Sequence, residues 1–263
     1  MVNWIFRLPL VPLFLLVVGG IVLATLAGMM LVAPLRARIT SRFAKSRAQA
    51  AYFGTQIWLT YSLILSLVAV GSWSEYQAAT DKVSREVSTL EVLQRRAALY
   101  PEPMRTEMDT VIRAYARAVI DGEWPEQRAG KHPSAAKRHF ASLNLLLGDF
   151  EPTTLADQMA HAETLRELTM ASEARRARIH ATANALPLVV WMVVLVGTGL
   201  ALVGATFFVS MDDRALHMTL VAIMAAFVGL VVFVTVALDH PFQGEVTPSE
   251  EGFRLIADRP FGG

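Results

Sequence analysis

The sequence predicts an all-α membrane protein with four transmembrane helices and an extramembrane helical bundle between the second and third. Three observations support this. Apolar runs at about 9–35, 51–73, 186–210 and 218–238 contain no Asp, Glu, Lys, Arg or His. Each reaches the roughly 20 helical residues needed to cross about 30 Å of hydrocarbon. Hydrophobic residues make up 54% of the 263, charged residues only 18%, which is too few charges for an ordinary soluble domain. The intervening stretch, by contrast, is rich in charge and repeats its apolar residues at steps of three and four.

Residues 1–73 form the first transmembrane hairpin. Its opening run is too long for a signal-peptide core and ends in basic residues, so it is expected to stay in the mature protein. The bridge carries Arg36, Arg38, Arg42, Lys45 and Arg47, and no acidic residue occurs before Glu75. Positive charge in short loops is retained in the cytoplasm, which puts 36–50 and 209–217 inside and 74–185 with both termini outside. On this reading the chain sits in a bacterial inner membrane as a multi-pass protein.

In the bundle, Tyr76, Ala79, Val83, Val87, Leu90, Leu93 and Ala97 make one helical stripe, stopped by Pro101 and Pro103. Met104, Met108, Val111, Tyr115 and Ala118 make a second, broken at Asp121, Gly122 and the Trp124-Pro125 pair, with 126–134 as a polar loop. Ala136, Phe140, Leu143 and Leu147 follow. After a Thr154 cap come Leu155, Met159, Ala162, Leu165 and Leu168, on a helix expected to run into span three through Arg178 and Pro187. The second hairpin occupies 186–238. The tail, 239–263, contains a short helix begun by a capping box at Thr247, Pro248, Ser249 and Glu250.

Small residues at near four-residue spacing, Gly20, Ala24 and Gly28, Gly197, Ala201 and Ala205, and Ala222, Ala226 and Gly229, mark faces for close helix approach. On span two, Thr55, Ser62 and Ser66 fall within about 40° at 100° per residue, with Gln56 and Thr60 on the adjoining arc. These five are the candidate pore-lining residues. Asp239 ends span four where Arg175, Arg176 and Arg178 approach span three, so an ion pair of Asp239 with Arg175 or Arg178 is expected at the membrane edge.

Catalytic signatures do not emerge. His132, His139, His161, His180, His217 and His240 are scattered without metal-ligand spacing, and no nucleophile elbow, phosphate loop or dinucleotide fingerprint is present. With no cysteine, thiolate chemistry is excluded. The expectation is no enzyme, no metal and no cofactor. Partners are the lipid bilayer, further copies of the chain and a protein bound by the helical domain; the basic residues form no nucleic-acid patch.

Tyr115, Asp121-Gly122-Glu123-Trp124-Pro125, Arg178, Leu186-Pro187 with Trp191, and Leu238-Asp239-His240-Pro241-Phe242-Gln243-Gly244 resemble a widespread bacterial membrane family described as bestrophin-like. The resemblance runs from about residue 50 to the C-terminus. Its most specific pieces are Glu123, Trp124 and Pro125, and Pro241, Phe242 and Gly244 within Asp-x-Pro-Phe-x-Gly. It implies four spans, a helical region between the second and third, and a pentameric anion channel like true bestrophins, whose large domain faces the cytoplasm. Here span two has no proline and no phenylalanine cluster, only Tyr52, Phe53, Trp58 and Tyr61. The leading functional expectation is an oligomeric, channel-like ion pore. The alternative is a non-conducting membrane sensor or scaffold whose helical domain binds a partner.

Overall fold

The computed structural model describes residues 8–42, 47–183, 185–208 and 213–258, with the side chains of 35–48, 50 and 208 outside that description. The basic side chains of Arg36, Arg38, Arg42, Lys45 and Arg47, and the link at 209–212, therefore lie outside the described residues. Among the described residues eight helices follow in chain order. α1 comprises Leu10–Phe14, a π-turn at Leu15–Gly19 and Gly20–Arg42, and α2 is Arg47–Ala97. α3 comprises Met104–Ala118, a π-turn at Val119–Glu123 and a last stretch, Trp124–Arg128. α4 is Lys137–Gly148, α5 Leu155–Ala181, α6 Leu188–Phe208, α7 Arg214–Leu238 and α8 Glu251–Asp258.

The chain divides into two compact units: Met1–Glu75 with Ala185–Asp239, and Tyr76–Asn184 with His240–Gly263. The first holds the membrane spans, Leu10–Pro34, the apolar part of Ala51–Ala97, Leu188–Phe207 and Arg214–Leu238. Its core is built from Leu13, Tyr61, Leu65, Val194, Ala201, Val228, Val232 and Val236. Two glycines permit close contact. A Cβ at Gly197 would fall 2.2 Å from the Tyr61 ring, and one at Gly229 would fall 3.0 Å from the Val18 Cα. The Tyr61 hydroxyl, seated over Gly197, donates to the Val194 carbonyl at 2.9 Å and lies 2.7 Å from the Thr198 hydroxyl. Gly20 and Gly28, predicted to serve the same purpose, face open space.

The second unit is the bundle. Its core joins Ala79, Val83, Leu90 and Leu93 of α2 to Met108, Ile112 and Tyr115 of α3, Phe140, Leu143 and Leu147 of α4, and Phe253 and Ile256 of α8. From the C-terminal segment, Phe242, Phe253, Ile256 and Ala257 belong to this core. α8 starts later than the expected box, at Glu251, whose N–H is capped by the Ser249 hydroxyl at 3.2 Å.

Three further readings are corrected. Pro125 does not end α3. A proline supplies no N–H and its ring crowds the carbonyl four residues back; the π-turn at Val119–Glu123, just before Trp124–Arg128, widens the coil there and lets the helix continue. Glu126, Gln127 and Arg128 are therefore helical, and the loop begins at Ala129. α5 begins as predicted, with Thr154 and Asp157 exchanging side-chain and backbone hydrogen bonds. Its inward face, however, is His161, Thr164, Leu168, Ala171, Ala174, Arg175 and Arg178, while Leu155, Met159, Ala162 and Leu165 point outward. Nor does α5 run into span three: it ends at Ala181 and α6 starts at Leu188, just after Pro187.

Candidate functional site

Inside the bundle four helical segments converge on a charged cluster closed to solvent. Arg178 of α5 is fully buried. Its Nε donates to Glu86 Oε2 at 2.6 Å, and its Nη2 to Glu123 Oε2 at 2.7 Å and Glu86 Oε1 at 3.3 Å. Its Nη1 donates to Gln127 Oε1 at 2.7 Å. Arg175, one turn earlier, donates to Glu123 Oε1 at 2.5 Å, and the same oxygen accepts the Ala136 N–H at 3.2 Å. The Tyr115 hydroxyl donates to Glu86, and Gln127 Nε2 donates to the Thr182 hydroxyl at 2.6 Å.

Two guanidinium groups and two carboxylates make the cluster neutral, which is what allows it to be dry. An unpaired ion in such a place costs several kcal/mol, whereas a hydrogen-bonded set offsets most of that cost. Burial pushes the Tyr115 phenol well above its ordinary range, and the negative charge of Glu86 pushes it further. Burial works against charge on Arg178, yet Glu86, Tyr115 and Glu123 together outweigh it and hold the guanidinium protonated above its usual range. Aromatic faces complete the shell: Arg178 Cζ is 5.7 Å from the Phe253 ring centre, and Arg175 Cζ is 5.7 Å from Tyr115 and 6.0 Å from Phe140.

Local sequence explains how Glu123 reaches this place. The π-turn ends on Glu123 and directs its carboxylate inward. Gly122 lets the following loop press on that turn, since a Cβ there would lie 2.4 Å from the Ala135 Cβ, and this contact brings the Ala136 N–H onto Glu123. The helix then closes in a Schellman motif: Gly130 at φ 67° donates to the Gln127 carbonyl at 2.9 Å, and Lys131 donates to that of Glu126 at 2.9 Å. Trp124 packs edge-on against Phe242 and Phe253, with ring centres 5.9 Å apart in each case. Pro241 and Phe242 are buried, and Gly244 turns the chain at φ 82°. Trp124 and Phe242, over a hundred positions apart in sequence, thus meet in one core.

The expected ion pair of Asp239 with Arg175 or Arg178 would join residues of different units, Asp239 in the span unit and both arginines in the bundle. Both arginines direct their donors to Glu123, Glu86 and Gln127, because the carboxylates of α2 and the π-turn lie on the inward face of α5. Asp239, in the span unit, accepts the Leu186 N–H at 2.7 Å and the Trp191 indole N–H at 3.2 Å. It thereby caps the start of α6 from the end of α7 and places a negative charge at a helix N-terminus. The five candidates on span two, Thr55, Gln56, Thr60, Ser62 and Ser66, are all exposed in the single chain. Three of their hydroxyls donate to their own helix: Thr55 to Ala51, Ser62 to Leu59 and Ser66 to Ser62. Among the described residues no group of three or more His, Asp or Glu side chains is gathered to hold a metal.

Sequence reasoning missed Glu86 and Gln127. Glu86 had a findable signal: it lies three residues after Val83 and four before Leu90, squarely on the buried stripe, where a carboxylate demands a partner. Gln127 had none, since the Pro125 break placed it in a loop.

The fold and the cluster define an all-helical membrane protein in which a four-span unit is joined to a bundle organised around a buried charge network. The chain belongs to the bestrophin-like family, whose domain matches residues 14–253. No curated protein matches it. Among solved structures it is similar to a bacterial bestrophin homolog from Klebsiella pneumoniae carrying a point mutation, with TM-score 0.63 and 9% identity over 90% of this chain and 99% of that one. It is also similar to a crystal structure described as a membrane protein, likewise a point variant, with TM-score 0.62 and 9% identity over 92% and 99% of the two chains. At that identity the likeness is one of fold.

Proposed function

We propose that this chain assembles as a homo-oligomeric ion pore in the bacterial inner membrane, with span two facing the conduit. One observation supports this above the others: the hydroxyl and amide face of span two is exposed in the single chain rather than packed on spans one, three or four. Polar side chains are poorly accommodated against lipid, and a water-filled axis shared by several copies gives them a solvent. Bestrophin-like membership and the fold shared with a bestrophin homolog favour the same reading. The charged cluster then acts as a clamp. α2 carries span two into the bundle and bears Glu86, while α5, which ends at Ala181 ahead of span three, bears Arg178, so their ion pair ties the helix continuous with span two to the one that precedes span three. By the charge rule the bundle faces away from the cytoplasm; a reporter fused after Glu123 that reads cytoplasmic reverses this orientation.

Purified protein in planar bilayers is expected to conduct, with Thr60→Leu reducing the current. Silence across ions and pH, or a monomer or dimer by native mass spectrometry, refutes the pore. The scaffold reading draws on a different observation, the outward apolar side chains of Leu155 and Met159 at 74% and 69% exposure. It predicts that Leu155→Ser with Met159→Ser abolishes a co-purifying partner while leaving the protein folded; unchanged recovery dismisses it.

A further inference from the structure

The bundle also contains a cleft of about 630 Å³ along α3, lined by Asp109, Arg113, Ala114, Arg117 and Asp121 and, from α4, by His139. The four charged residues of α3 follow at steps of four, so they share one side of the helix, with the two arginines one turn apart. Asp109 is buried and both of its oxygens are engaged. Gln94 Nε2 donates to Oδ1 at 2.8 Å, and Arg113 Nε approaches Oδ2 at 2.7 Å. This relay fixes the Arg113 side chain, of which 20% is exposed.

Two observations point to an anion. The approach of Arg113 to Asp109 is an ion pair off the line of a hydrogen bond, and neither Nε nor Nη2, both shielded from water, bonds any group among the described residues. A buried donor left unbonded is costly and calls for an acceptor. Arg117 donates only to the Ala257 carbonyl, through Nη2 at 3.5 Å, and forms no ion pair among the described residues. Like charges one turn apart on a helix repel, and a negative group shared between them reverses that. Charge balance then selects the anion. Two guanidinium groups share the cleft with two carboxylates, so a single negative charge is accommodated at the arginines, whereas a dianion meets Asp121 one turn beyond Arg117. The planar fork of a guanidinium matches a carboxylate, and Ala114 and Ala118, half-buried on the same side, present methyl groups.

We propose that this cleft binds a small aliphatic monocarboxylate, its carboxylate held between Arg113 and Arg117 and its carbon chain lying on Ala114 and Ala118. The site is independent of conduction, so its test stands or falls apart from the pore reading. The full-length protein in detergent is titrated calorimetrically with butyrate and with sulfate at matched ionic strength, at about pH 8, where a histidine is ordinarily neutral. Butyrate binds saturably, and sulfate, a tetrahedral dianion, binds at least about tenfold more weakly, a difference of about 1.4 kcal/mol. Arg117→Gln weakens butyrate by at least about tenfold with the melting temperature unchanged, because Arg117 is exposed. Ala114→Phe, which fills the cleft, removes binding. Sulfate binding as tight as butyrate, wild-type affinity in Arg117→Gln, or no saturable binding overturns the assignment.

Discussion

Replacing Arg178 by Met tests whether the buried cluster is held by charge balance. The wild-type set comprises Arg175, Arg178, Glu86 and Glu123, with the Arg178 and Glu123 side chains at 0% exposure and Glu86 at 1%. Met has similar length and fills much of the same volume, so the change removes a charge and four hydrogen bonds with little loss of packing. Two carboxylates then face Arg175 alone, and the site carries one uncompensated negative charge. Breaking one side of a buried pair costs about 3–5 kcal/mol, and at roughly 2–4 °C per kcal/mol the melting midpoint falls by about 6–20 °C. The assay is thermal unfolding of purified protein in detergent by circular dichroism at one fixed scan rate, since membrane proteins seldom refold. The companion double variant, Arg178→Met with Glu86→Met, removes one charge of each sign and leaves the Arg175–Glu123 pair intact. It is expected to regain at least about 2 kcal/mol relative to the single variant. A single variant within about 1 kcal/mol of wild type, or a double variant no better than the single, refutes charge balance as the organising force.

Three other outcomes follow from the same geometry. Tyr115→Phe removes a hydrogen bond to an ionised carboxylate and should cost about 1.5–3 kcal/mol at neutral pH. Because the folded phenol titrates above its unfolded value of 10.0, its contribution is complete below that pH and is lost as pH rises through the folded value; wild type therefore melts progressively lower above about pH 10 while Tyr115→Phe changes less, as melting curves at stepped alkaline pH will read. Gly197→Ala drives a methyl group to within 2.2 Å of the Tyr61 ring, costing about 1–3 kcal/mol by thermal melting, and Tyr61→Ala in the same chain relieves the clash. Asp239→Ala leaves the Leu186 N–H and Trp191 indole without this carboxylate, at a cost of about 1–3 kcal/mol, and alters Trp191 fluorescence.

Much of the fold was legible because it follows from local composition. Uncharged runs of span length announce themselves one at a time, and so do the stripes of α2 and α4, where Leu90, Leu93, Leu143 and Leu147 are buried at the predicted period. The failures are as instructive. Periodicity marked Leu155, Met159 and Leu165 as core, yet the inward face of α5 carries His161, Thr164, Arg175 and Arg178. Apolar spacing identifies a helix but says nothing about which partners wait on either side of it. Pro125 was read as a break because a proline rule is local, whereas the π-turn before it is stabilised by packing of Trp124 on Phe242 and Phe253.

The sequence by itself determined that four segments belong in lipid, because the cost of burying charge and the length needed to cross are properties of each segment alone. Only the tertiary structure decided that Glu86 and Arg178, 92 positions apart, share two hydrogen bonds, that Glu123 bridges both arginines, and that Asp239 caps α6. The physical reason is that a buried charge is stable only beside its complement. Which complement it meets depends on how helices distant in the chain are brought together.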